Sequence, residues 1–118
     1  MNAKHVRGHV PLAEALALGP PREGNLAVPV FAHGTLAVEI YRPVGEDRQT
    51  PHTRDEVYVV ARGTGTFFDG AERFPVAPGD FLFVPAGREH RFERFTDDFA
   101  VWVLFYGPEG GEADTLNR

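Results

Sequence analysis

The stretch "GDFLFVPAGREHRFER", residues 79–94, decides the reading of this chain. Pro78-Gly79 supplies a fixed φ followed by a positive one, the pair of conformations a type II turn requires. Phe81–Val84 reads as a short strand and Pro85-Ala86-Gly87 as the break after it. Beyond the break, Glu89, Arg91 and Glu93 alternate with His90 and Phe92, the period of two that a strand imposes. The charged set belongs in water, so His90 turns inward with Phe92. An imidazole inside a core must find partners for its nitrogens. A backbone carbonyl would serve, and so would a ligand.

Upstream, "RQTPHTRDEVYVVARG", residues 48–63, crowds polar groups against an apolar run. In an extended chain Thr50, His52, Arg54 and Glu56 share one parity, so His52 and Glu56 point the same way. Each has an ordinary explanation, His52 as a loop residue after Pro51 and Glu56 as a charge at a strand edge. Together with His90 they would make two imidazoles and one carboxylate on inner faces. A divalent cation relieves the penalty of burying such a set and matches its donor types.

The remaining sequence reads as almost wholly β. The predicted strands are Val28–Phe31, Thr35–Tyr41, Glu56–Ala61, Thr64–Phe68, Arg73–Val76, Phe81–Val84, Glu89–Phe95 and Phe99–Phe105. Asp69-Gly70 signals a hairpin with a primed turn. One helix is expected near residues 11–18, stopped by Gly19-Pro20-Pro21. "VYVV" and "AVWVLF" do not alternate, so both of their faces require cover. A second sheet, the N-terminal segment or another subunit could provide it.

With 118 residues, the chain suits one domain. Its net charge of −5 argues against nucleic acid or an anionic membrane as partner. Cysteine is absent, which excludes disulfides, thiolate metal sites and a cysteine nucleophile. No apolar run approaches the ~20 residues of a membrane span, and the N-terminus does not read as a signal peptide, so a cytoplasmic protein is expected. The expected layout is an N-terminal arm over 1–34, a barrel over 35–106 and a flexible tail over 107–118.

These residues resemble the cupins, small jelly-roll β-barrels whose second motif is G-x5-P-x-G-x2-H-x3-N. Gly79, Pro85, Gly87 and His90 fit it, and Arg94 stands in place of the final Asn. His52, Glu56 and Gly63 fit the first motif, G-x5-H-x-H-x3,4-E-x6-G, whereas Thr50 replaces its first His and Gly45 fits its opening Gly only loosely. The resemblance covers residues 35–106. It implies an all-β jelly-roll barrel of two antiparallel sheets, with His52, Glu56 and His90 holding one divalent ion per subunit: Fe, Mn, Ni or Zn. Gln49 or Thr50 is a candidate further ligand, and Tyr58, Phe92 and Trp102 are candidate pocket walls. The functions implied are a metal-dependent enzyme, dioxygenase- or isomerase-like, acting on a small molecule, or a non-catalytic sensor or storage protein that binds a small ligand without a functional metal. A homodimer is expected in either case.

Overall fold

A computed structural model describes residues 8–19 and 27–113. The order of elements is α1 (Leu12–Leu16), β1 (Ala27–His33), β2 (Leu36–Tyr41), β3 (Asp55–Arg62), β4 (Gly65–Phe68), β5 (Arg73–Val76), β6 (Phe81–Val84), β7 (Arg91–Glu93) and β8 (Ala100–Tyr106). The strands form two antiparallel sheets, β1-β2-β8-β3-β6 and β5-β4-β7. This is the jelly-roll expected from the sequence.

Side chains from both sheets meet in one core. Tyr58, Val60, Leu82, Val84, Val101 and Val103 come from the larger sheet, and Phe67, Val76 and Phe92 from the smaller. Phe92 is the hinge of its aromatic part. It lies 5.0 Å from Tyr58, 4.9 Å from Phe67 and 5.0 Å from Phe99, ring centre to ring centre. Such tilted and edge-on pairs contribute about 0.5–1.5 kcal/mol each beyond the area they bury.

The doubly apolar strands resolve into two unequal faces. Tyr58 and Val60 are inside, while Val57 and Val59 on the outer face are only half-buried. On that outer face Gly8 and Val10 from the N-terminal segment join Val30, Phe31, Val38 and Trp102 around a small recess. The segment thus covers part of the sheet.

The turns follow the local chemistry. Asp80 N–H reaches Ala77 C=O at 3.0 Å across Pro78-Gly79, and Gly79 has a φ of +94°, as the type II turn demands. Gly63 ends β3 with a φ of +77°, and a Cβ there would stand 2.7 Å from the Phe99 backbone. Only glycine fits such a position without strain.

The β4–β5 hairpin turns where Asp69-Gly70 marks it: Asp69 N–H reaches Glu72 C=O at 3.1 Å, Gly70 has a φ of +97°, and the Asp69 carboxylate accepts the N–H groups of Ala71 and Glu72. Two expectations need correction. α1 is shorter than predicted, and Pro20 and Pro21 lie outside the described residues. Residues 107–113 are not a free tail. The buried Asp55 carboxylate accepts the N–H groups of Ala86 and Glu112, Gly110 N–H reaches Thr53 C=O, and Arg54 donates to Gly107 C=O.

Candidate metal centre

β3 and the segment before β7 bring the three predicted ligands together. Glu56 is the second residue of β3 and faces inward, 2% exposed. His90 sits just before β7 and is equally buried, and His52 precedes β3 on the rim. His90 Nε2 lies 3.1 Å from Glu56 Oε1, and His52 Nε2 lies 3.8 Å from the same oxygen. All three donor atoms fall within 4.8 Å of one another.

The backbone fixes their orientation. His90 Nδ1 is 2.9 Å from Arg88 C=O, an atom that can only accept, so Nδ1 carries a proton and Nε2 faces the cluster. The His52 ring rests edge-on against Phe105 at 5.1 Å, and Gly87 N–H holds the His52 carbonyl.

Gln49 completes the group, and the sequence left its geometry open. The buried Asp47 carboxylate accepts the Gln49 side-chain N–H at 2.7 Å, which turns the amide oxygen the other way. That oxygen accepts the Tyr58 hydroxyl at 2.8 Å and stands 3.2 Å from His52 Nε2. Asp47 also accepts from Tyr41 O–H at 2.5 Å and from Phe92 N–H at 2.8 Å, so it ties the loop to both sheets. Nothing in "GEDRQT" marks Asp47 as buried, because the stretch reads as a solvated loop.

Four potential ligand atoms therefore lie close together: the Nε2 nitrogens of His52 and His90, the Gln49 amide oxygen and Glu56 Oε1. The Tyr58 hydroxyl, whose pKa burial and the Glu56 charge push well up, stands 2.8 Å from the Gln49 amide oxygen and 3.0 Å from His90 Nε2, so its one proton serves only one of the two. Glu56 Oε1 is buried with no hydrogen-bond partner. A buried carboxylate oxygen without a donor is costly, and a cation removes that cost. His90 offers the alternative compensation. Burial opposes its charge, but the Glu56 carboxylate and the Arg88 carbonyl outweigh this and raise its pKa. The donor set of imidazole nitrogens and oxygens fits a divalent transition-metal ion.

The cluster opens into a cavity of about 410 Å³. Tyr58, Glu39, Tyr41, Val103 and Phe105 are among its walls, together with Gln49, His52 and Glu56. The other predicted positions fall elsewhere. Thr50 is exposed and Arg54 bonds Gly107 C=O, because the extended backbone begins only at Asp55 and the bend at residues 53–54 breaks the parity assumed across 50–56. Phe92 packs behind Tyr58 as core. Trp102 lines the recess on the opposite face of the sheet, since Val103 and Phe105 take the inward parity of β8. Glu39 was missed, although a lone carboxylate in "LAVEIY" with the parity of Tyr41 was a usable signal.

Comparison with known proteins agrees with this fold. Residues 37–106 match the family described as the cupin domain. An uncharacterized protein of Streptomyces coelicolor is 38% identical over 90 residues, which cover 75% of this chain and 76% of that one. A cupin-2 domain protein of Shewanella frigidimarina superposes with a TM-score of 0.67 at 15% identity, over 83% of this chain and 94% of the other. A solved structure of DMSP lyases gives a TM-score of 0.52 at 27% identity, over 63% of this chain and 38% of its own. The chain belongs to the cupin family.

Proposed function

We propose that this cupin is a metal-dependent enzyme acting on a small molecule held in the barrel, with one divalent ion bound by His52, Glu56 and His90 and with the Gln49 amide oxygen as a further donor. The observation that carries the reading is the buried Glu56 Oε1, which has no hydrogen-bond donor while both imidazoles are neutral and has their Nε2 nitrogens at 3.1 and 3.8 Å. The likeness to a DMSP lyase structure supports an enzymatic role without naming the substrate. When bound, the ion supplies Lewis acidity or, if it is iron or manganese, redox chemistry.

The protein's own groups prepare that chemistry. Glu56 neutralises part of the cation's charge. Arg88 C=O and Asp47 hold the His90 ring and the Gln49 amide in fixed orientations, the supporting role that partners of metal ligands commonly play. Val103 and Phe105 give the cavity apolar walls beside the cluster. Tyr58 keeps its proton and can hydrogen-bond a ligand's oxygen if Gln49 turns to the ion.

A reaction of the dioxygenase or isomerase type is the finer form of this proposal. Its test is reconstitution of metal-free protein with Fe(II), Mn(II), Ni(II) and Zn(II) in turn. Each form is then assayed for O2 uptake and product formation over catechol-like, thiol and β-diketone substrates. Turnover that depends on the metal and disappears in His90→Ala supports the reading; turnover untouched by His90→Ala refutes it.

One observation favours the second reading, a metal-free ligand-binding cupin. A protonated His90 would close an ion pair with Glu56 at 3.1 Å and leave the cavity filled by ligand alone. Failure of every metal to bind would select it.

A further inference from the structure

The Glu39 carboxyl has no hydrogen bond or ion pair among the described residues, yet it is half-buried on the wall of the cavity. β2 places it there. Its strand neighbours are Pro29 on β1 and Val103 on β8, and all three line the cavity. A polar group withdrawn from water without a partner destabilises the fold. The neighbouring walls cannot supply that partner. Ala27, Pro29, Val103 and Phe105 are apolar at the side chain, and the Tyr41 hydroxyl is committed to Asp47.

The charge inventory of the cavity points the same way. Among the described residues Glu39 and Glu56 are its acidic members, and neither arginine nor lysine is in the lining. A divalent ion at the cluster would be offset by both carboxylates, leaving no surplus of positive charge for a ligand's carboxylate. Burial and the charge of Glu56 both raise the Glu39 pKa, which shows that the wall already resists a second negative charge.

We propose that Glu39 determines the specificity of this cavity: it receives the O–H or N–H donor of a bound ligand, so the site takes neutral or cationic polar molecules in preference to carboxylates. The inference rests on the reading of this cavity as the ligand site. It adds the chemical class of ligand and the residue that selects it.

Catechol, a neutral diol, and salicylate, its anionic counterpart of similar size, are suitable probes. Their dissociation constants are measured by ligand-observed NMR on metal-free and Zn(II)-loaded protein. The wild type is expected to bind catechol at least tenfold more tightly than salicylate. Glu39→Gln, which keeps the shape, should collapse that ratio toward unity, and Glu39→Asp, which keeps the charge, should retain it. Thermal melting of Glu39→Gln should be unchanged or higher, because no hydrogen bond is lost. An equal catechol-to-salicylate ratio in the wild type and Glu39→Gln overturns the proposal, as does failure of both probes to bind either form. If Zn(II) does not bind but the ratio still collapses in Glu39→Gln, the selectivity stands and the metal reading falls.

Discussion

His90 shows how one side chain carries both the stability and the chemistry of this centre. Its raised pKa means that the folded state holds the proton more tightly than a free imidazole does. The ion pair with Glu56 therefore stabilises the metal-free fold fully below the ordinary imidazole value of 6.5, and that contribution is lost as pH rises through the folded pKa. A cation needs the opposite state, a neutral Nε2. Metal affinity should thus rise with pH and weaken by about tenfold per unit once His90 is protonated, starting above 6.5. Metal titrations at a series of pH values check this, and a flat profile would contradict it. Asp47 is the second decisive residue. Asp47→Ala strands the buried Phe92 N–H and releases both Tyr41 and Gln49, so a loss of roughly 2–4 kcal/mol in chemical denaturation is expected.

At the scale of the element, β7 ends abruptly. Arg94 follows it with a φ of +52°, and it is the only non-glycine residue with positive φ among the described residues. Asn tolerates this conformation better than Arg, and the cupin motif has Asn at this position. Arg94→Asn should stabilise the protein by about 0.5–1 kcal/mol, visible as a raised melting temperature. Most of the strand plan was legible because alternation and turn chemistry are local. Arg73–Val76 and Phe81–Val84 have the predicted bounds, and the parity of His90 with Phe92 placed the imidazole inside. What was not legible depends on contacts distant in sequence. Asp55 and Asp47 are buried because they anchor backbone N–H groups 31 and 45 residues away, a fact no local pattern encodes. Trp102 was misplaced because an unbroken apolar run such as "AVWVLF" gives no hint of which parity faces in.

Among the described residues the larger sheet leaves an apolar edge exposed at β6. Phe81 and Phe83 on β6 are 65% and 47% exposed, and β6 has a strand partner on one side only, β3. Val57 and Val59 lie beside them in register and extend the patch inward. An open edge with exposed aromatics invites strand pairing, and a second copy offers the same edge in return. We expect a homodimer joined there. Light scattering should give twice the chain mass of 13.0 kDa at micromolar concentration, and Phe81→Glu with Phe83→Glu should halve it. A monomeric wild type would contradict this. No helix among the described residues is long and apolar enough to cross a membrane.

The central claim is that the fold gathers His52, Glu56 and His90 in order to hold an ion. Calorimetric titration of Zn(II) into metal-stripped protein at neutral pH tests it most directly, with His90→Ala and Glu56→Gln alongside. The account predicts one ion per chain for the wild type and a loss of on the order of a hundredfold or more in affinity for each variant. No binding to the wild type at high micromolar Zn(II), or equal binding by His90→Ala, would contradict it.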